Sequence, residues 1–215
     1  MKVKISAIDS LDEALNVVLA GADIVEIIIC TQPDIDTRSK SKEIAHSILQ
    51  KLIGKVETSI LTDKTDLDEL LNFLIDLPIG YLFPIFNLQE EVMKKIKEKL
   101  PLLKIVPTIH VVDKSSLIEI EAFNRNPYVD LIHLDSKTKN KLGATGLVHD
   151  WPLSAKIVKL ATKPVILAGG LNPENVAEAI DIVQPFGVDV YSGVLNGNGE
   201  LDLERVKKFI KNAKA

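Results

Sequence analysis

Short apolar, β-branched runs alternate with amphipathic stretches from one end of the 215-residue chain to the other. The strand-like runs are Val3 to Ser6, Ile24 to Cys30, Val56 to Leu61, Gly80 to Ile85, Lys104 to Ile109, Leu131 to Asp135, Pro164 to Ala168 and Val188 to Tyr191. Their length and composition suit strands of a parallel sheet covered on its outer face by helices. The first helical pattern opens at Ser10-Leu11-Asp12-Glu13, a capping box in which Ser10 caps the first turn and Glu13 reaches back. Further helical periodicities run over Lys42 to Leu52, Asp66 to Leu74, Gln89 to Lys99, Ser115 to Phe123, Pro152 to Leu160, Pro173 to Val183 and Leu203 to Asn212. Strand and helix alternate eight times, at a mean spacing of about 27 residues, which predicts an α/β fold of the (β/α)8 TIM barrel type. A doubly wound open sheet is the competing arrangement, but it usually stops at about five or six strands.

The length supports one well-filled core and is short for two ordinary domains, and no Pro/Gly/Ser-rich linker interrupts it. A single barrel domain over residues 1–215 is therefore expected. A formal charge of -4 argues against a general nucleic-acid or anionic-membrane binder while leaving room for a local cationic pocket. No stretch approaches the ~20 apolar residues of a membrane span, and the apolar start at Met1 is too short for a signal peptide, so a cytoplasmic location is expected. The lone Cys30 excludes an intramolecular disulfide and a multi-cysteine metal site. Amphipathic outer helices serve equally to cover a core or to meet a partner, so the pattern leaves the oligomeric state open.

The glycines are unevenly spread: eight of the eleven lie at or after Gly143. Gly143-Ala144-Thr145-Gly146, Ala168-Gly169-Gly170-Leu171-Asn172 and Ser192-Gly193-Val194 follow the sixth, seventh and eighth strand-like runs. The C-terminal ends of barrel strands are where active sites are built, and exposed backbone N–H groups there hold a phosphate without any basic side chain. Tight turns alone would explain one such segment. Three in successive units favour a phosphorylated small-molecule ligand held in loops within 136–200, by Gly143, Thr145, Gly146, Gly169, Gly170, Ser192 and Gly193.

Leu167-Ala168-Gly169-Gly170-Leu171-Asn172-Pro173-Glu174-Asn175-Val176, followed by Gly187-Val188-Asp189-Val190-Tyr191-Ser192-Gly193-Val194, resembles the last two units of phosphoribosylanthranilate isomerases. Leu134-Asp135-Ser136, the segment from Gly143 to Gly146 and His149-Asp150-Trp151 are similar to the sixth unit of that family, and Met1 to Asp23 resembles it more loosely. The resemblance implies an Amadori rearrangement in tryptophan biosynthesis, the work of an intramolecular oxidoreductase of the aldose–ketose isomerase type. It needs a general acid at the ribose ring oxygen and a general base at C2, with no metal and no organic cofactor. It further implies that Asp135 is the acid, that Asp189 lies beside the substrate, and that Arg38 grips the anthranilate carboxylate in a forked geometry. Read from the residues alone, Asp135 is also a possible loop-starting carboxylate, Asp189 an ion-pair partner inside the barrel, and Arg38 a solvated loop residue.

The chain departs from the family pattern on one side of the expected pocket. Where the family's first strand ends Lys-Ile-Cys-Gly, this one reads Lys4-Ile5-Ser6-Ala7, placing a serine at the base position. A thiol ionises near 8.5 and a hydroxyl far above neutrality, so Ser6 needs help to accept a proton, and loss of a general base costs about 10²–10⁴-fold in rate. Glu26 stands where a glycine is expected, and Leu82-Phe83-Pro84-Ile85-Phe86 replaces a Gln-Leu-His-Gly segment. Strand alternation puts Lys4 on the face of Ser6 and His133 on the face of Asp135. A structural Lys4–Glu26 ion pair is the expected outcome, with His133 a hydrogen-bonded core histidine, His110 near the pocket mouth, His46 solvated on a helix, and His149 in a turn before a packing Trp151. Three functions follow: the family isomerase with an altered base, an isomerase of another sugar phosphate, or a non-catalytic relative that binds a phosphometabolite or a partner.

Overall fold

The computed structural model describes residues 1–31, 36–138, 141–142 and 150–215. Strands and helices alternate: β1 (Lys2–Ile5), α1 (Leu11–Leu19), β2 (Ile24–Ile28), α2 (Lys42–Leu52), β3 (Glu57–Thr62), α3 (Leu67–Leu74), β4 (Tyr81–Pro84) and α4 (Glu90–Lys99). There follow β5 (Lys104–Ile105), β6 (Thr108–Val111), α5 (Ser116–Arg125), β7 (Ile132–Thr138), β8 (Lys141–Leu142), α6 (Trp151–Leu160), β9 (Val165–Leu167), α7 (Val176–Val183), β10 (Gly187–Val190), a 3-10 turn (Ser192–Val194) and α8 (Leu203–Ala213).

The strands hydrogen-bond in the order β5-β4-β3-β2-β1-β10-β9-β7-β6, and β8 adds antiparallel to the end of β7. Both ends of this path belong to one run of chain, the expected fifth strand, interrupted only at Val106-Pro107. Val106 N donates to Leu82 O at 2.9 Å on one side and Pro107 O accepts from His133 N at 2.9 Å on the other, so the ladder continues through the interruption and the sheet closes. Proline has no N–H to give and fixes its φ, which is why the expected single strand appears as two segments, the second reaching Val111. The fold is a (β/α)8 barrel.

The helices bury one face each against the outside of the barrel, in an apolar layer that includes Val3, Ile5, Leu49, Leu70, Ile96, Ile120, Ile157, Val188 and Phe209. At α1 the expected capping box forms with a variation: Ser10 accepts from Glu13 N at 3.2 Å, but the Glu13 carboxylate reaches past Ser10 to Asp9 N at 2.8 Å. Inside the barrel Ile24, Tyr81, Phe83, Val106, Leu131 and Ile166 form a second, smaller apolar cluster. Below it the N-terminal mouth is closed by Lys2 Nζ on Glu57 at 2.8 Å and by Tyr81, whose hydroxyl donates to Glu57 at 3.0 Å. Above it the interior turns polar, with Lys4, Glu26, Ser59, Thr108, His133 and Asp189 all buried. The strand period of two makes this gradient, because residues two apart point into the barrel at successive heights.

Candidate active site

The polar layer is centred on Lys4, 1% exposed and fixed by a register that sets it directly beside Asp189 on the neighbouring strand. Its ammonium lies 2.8 Å from Asp189 Oδ2, 2.7 Å from Glu26 Oε2 and 2.7 Å from Ser6 Oγ, with the Phe83 ring centroid 4.3 Å away. The Ser6 hydroxyl donates in turn to Asp189 Oδ1 at 2.5 Å. His133 Nε2 lies 3.0 Å from Asp189 Oδ2, its Nδ1 lies 3.2 Å from Thr108 Oγ1, and Phe83 meets the ring edge-on at 5.4 Å. With Asp189 ionised, these partners assign the hydrogen to Nε2 and leave Nδ1 to accept from the threonine.

Two carboxylates share one ammonium, and their surroundings separate them. Burial works to raise the Asp189 carboxyl, but Lys4 and the hydrogen bond from His133 outweigh it and hold the group well below the usual carboxylate range. Burial raises Glu26; Lys4 opposes this, Asp189 adds to it, and the net direction is up. The expected Lys4–Glu26 ion pair is therefore present, while Asp189 takes the larger share of the donors. Ser6 and the core histidine His133 converge on Asp189. The joining of Ser6 to Asp189 was not expected, since nothing in the sequence gives the register between β1 and β10.

Arg38 stands in the loop after β2, only 8% exposed, which excludes a solvated role. Its Nε donates to Ala7 O at 2.6 Å, Nη1 to Gly199 O at 3.2 Å, and Nη2 is paired with the Glu13 carboxylate. Ala7, the residue after Ser6, has φ +61, so the chain leaves β1 through a left-handed turn whose carbonyl meets the guanidinium. Tyr191 OH donates to Asp36 at 3.1 Å and Lys40 pairs with Asp9, so the loop after β2 is fastened to the ends of both β1 and β10. The forked grip on a ligand carboxylate would have to compete with Glu13, a partner that the capping pattern did not reveal. Cys30, at the end of β2, does not replace the missing thiolate: burial first, and then Asp63, push its thiol up to about 12.

After β9, two strands along the sheet from β1, Gly169 and Gly170 take φ +82 and +68, conformations open to glycine at little cost. Asn175 ties this turn down, its Nδ2 donating to Gly170 O at 3.0 Å and its Oδ1 accepting from Asn172 N at 2.8 Å. Gly193 packs so closely on the same turn that a Cβ would overlap the Leu171 carbonyl oxygen and stand 3.0 Å from Asn172 Cα. Gly169, Gly170, Ser192 and Gly193 are thus brought together at the C-terminal ends of β9 and β10. Gly143, Thr145, Gly146 and His149 lie outside the described residues. Asp135 is half-buried, paired in register with His110 and one pleat above His133, and Trp151 is buried as a packing residue at the start of α6. No group of three or more potential metal ligands occurs among the described residues, and no helix among them is long and apolar enough to cross a membrane.

The family model described as N-(5'phosphoribosyl)anthranilate (PRA) isomerase matches residues 87–212. An N-(5'-phosphoribosyl)anthranilate isomerase 2 of Methanosarcina mazei is 31% identical over 216 residues, covering 100% of this chain and 94% of the relative. The crystal structure of phosphoribosyl anthranilate isomerase from Thermotoga maritima superposes with a TM-score of 0.84 at 30% identity, covering 100% of this chain and 98% of that one. A further structure of this enzyme, in complex with reduced 1-(o-carboxyphenylamino)-1-deoxyribulose 5-phosphate, has a TM-score of 0.81 and 28% identity, covering 100% and 98%. With a family model that matches more than half of the chain and a relative 31% identical over all of it, this protein belongs to the phosphoribosylanthranilate isomerase family.

Proposed function

We propose that the protein catalyses the Amadori rearrangement of N-(5-phosphoribosyl)anthranilate, with Asp135 as general acid and the phosphate held by the turns after β9 and β10. The observation that carries this reading is the junction of Gly193 with the Gly169-Gly170 turn beside the strand end that holds Asp189. Backbone N–H groups on these turns suit a phosphate dianion, and the turn geometry admits glycine and little else. Gly143, Thr145 and Gly146 complete the proposed phosphate set. The ligand of the solved relative carries the parts such a site must read: a phosphate, an open-chain sugar and a carboxyphenyl amine.

Asp135 protonates the ring oxygen as the ring opens to an iminium. A proton then leaves C2, giving an enolamine, and ketonisation returns a proton to C1. Every step is acid–base chemistry that residues of a single barrel domain supply. The test is conversion of freshly prepared substrate by the purified chain, with Asp135→Asn lowering kcat about 10²–10⁴-fold. No turnover above background at high enzyme concentration overturns the proposal.

The partners of Arg38 favour a second reading, in which the amine substituent is something other than anthranilate. Thermal-shift measurements against a panel of sugar phosphates separate the two, because stabilisation by the anthranilate ligand alone removes the second.

A further inference from the structure

The serine at the base position is not an isolated loss. Its hydroxyl is held between a cation and a carboxylate, at 2.7 Å from Lys4 Nζ and 2.5 Å from Asp189 Oδ1. Glu26, a second departure from the family pattern, sits on the far side of the same ammonium at 2.7 Å. The two departures therefore meet at one atom.

We propose that Ser6 and Asp189 act together as the base, Ser6 taking the C2 proton while its own hydroxyl proton passes to Asp189. This rests on the isomerase reading given above. In the first half the C2–H bond breaks and its electron pair forms the C1=C2 bond of the enolamine. The departing proton bonds to Ser6 Oγ as the hydroxyl O–H breaks towards Asp189 Oδ1. In the second half Asp189 returns its proton to Oγ, Ser6 protonates C1, and the hydroxyl at C2 becomes the ketone. The proton released there balances the one that Asp135 gave to the ring oxygen.

Each partner has a stated part. Lys4 favours negative charge on Ser6 Oγ during the transfer, as a buried cation at hydrogen-bond distance must. His133 and Lys4 keep Asp189 ionised at rest, so the acceptor is ready. Glu26 keeps the ammonium partnered while Asp189 is neutral, which a glycine at that position does not do.

The test uses the full chain and steady-state kinetics on the anthranilate substrate. Ser6→Ala and Asp189→Asn are each expected to lower kcat about 10²–10⁴-fold with little change in KM, and the double variant to be no worse than either, because the two residues act as one unit. Ser6→Cys in the Asp189→Asn background is expected to recover at least about tenfold, since a thiolate accepts the proton unaided. A purely structural Asp189 gives no such rescue, and Asp189→Asn within about tenfold of the unsubstituted protein leaves the relay without a role. Should Asp189→Asn fail to fold, deuterated solvent decides: the relay moves one more exchangeable proton in the unsubstituted protein, so kcat slows more there than in Ser6→Cys, and equal effects in both overturn it. Turnover that is indifferent to Asp189 removes the relay alone, whereas no turnover by the unsubstituted protein removes the isomerase reading with it.

Discussion

The two sides of the barrel mouth work by different means. After β9 and β10 the geometry is made by backbone: two left-handed glycines, a third too close to its neighbour for a side chain, and an asparagine holding the turn. On β1 and β2, the strands next to β10, it is made by buried side chains, Lys4, Ser6 and Glu26, joined to Asp189 on β10 and through it to His133. A backbone turn built on positive φ and close approach has few residues besides glycine to draw on. A side-chain cluster is rebuilt by compensating substitutions, because adding a carboxylate beside a buried ammonium balances other changes there. The lesson is that likeness on one side of a site says little about residue roles on the other.

The largest expected effect is at Lys4. Lys4→Met leaves Glu26 and Asp189 buried against each other with their shared cation gone, and breaking a buried ion pair from one side costs about 3–5 kcal/mol. Urea unfolding of the two proteins at neutral pH measures the difference. A loss below about 1 kcal/mol, the range of exposed pairs, would show that the cluster carries no more weight than a surface salt bridge and would erase the contrast between the two sides.

The barrel was legible because hydrophobic period and length are local properties, and all eight strand-helix units can be counted without knowing a single contact. The glycine turns were legible for the same reason: Gly169-Gly170 and Gly193 declare a backbone requirement within a few residues of sequence. The Lys4–Glu26 pair followed from strand alternation, which needs only that the two strands be neighbours. What stayed hidden depends on register and on loops. The contact of Ser6 with Asp189 joins positions 183 residues apart, and Arg38 meets a carboxylate already occupied in capping α1. The split at Pro107 was written in the sequence, yet its consequence, closing the barrel through one bent strand, required the neighbouring ladders.

A smaller effect is expected on the other side. Gly193→Ala places a methyl group against backbone, the Leu171 carbonyl and Asn172 Cα, rather than against a side chain that can swing away. Overpacking of this kind costs about 1–3 kcal/mol, and the turn that moves is the proposed phosphate cradle. The expected signature is a raised KM with kcat changed less, since the methyl group meets the Leu171–Asn172 turn and not the Ser6 cluster. An unchanged KM together with a lowered kcat would mean that the two sides are mechanically one unit.

The smallest effect, below that of Lys4→Met, is a pH dependence. Glu26 has its pKa raised in the folded protein above 4.5, so over the interval from 4.5 up to the raised value the folded state binds more protons than the unfolded one. Stability contributed by this group is complete below 4.5 and is lost as pH rises through the raised value. Asp189 has the opposite sign: its contribution is present above 3.8 and is lost as pH falls through its lowered value, so the two groups act in separate windows. Glu26→Gln removes only the upper window. Unfolding free energies of both proteins from pH 4 to 8 should give a difference that turns progressively against the unsubstituted chain above 4.5 and is flat below it. A difference moving the other way would show that Lys4 serves Glu26 first. Asp189 would then be the carboxylate that keeps its proton, and the base-side cluster would have to be read with the two carboxylates exchanged.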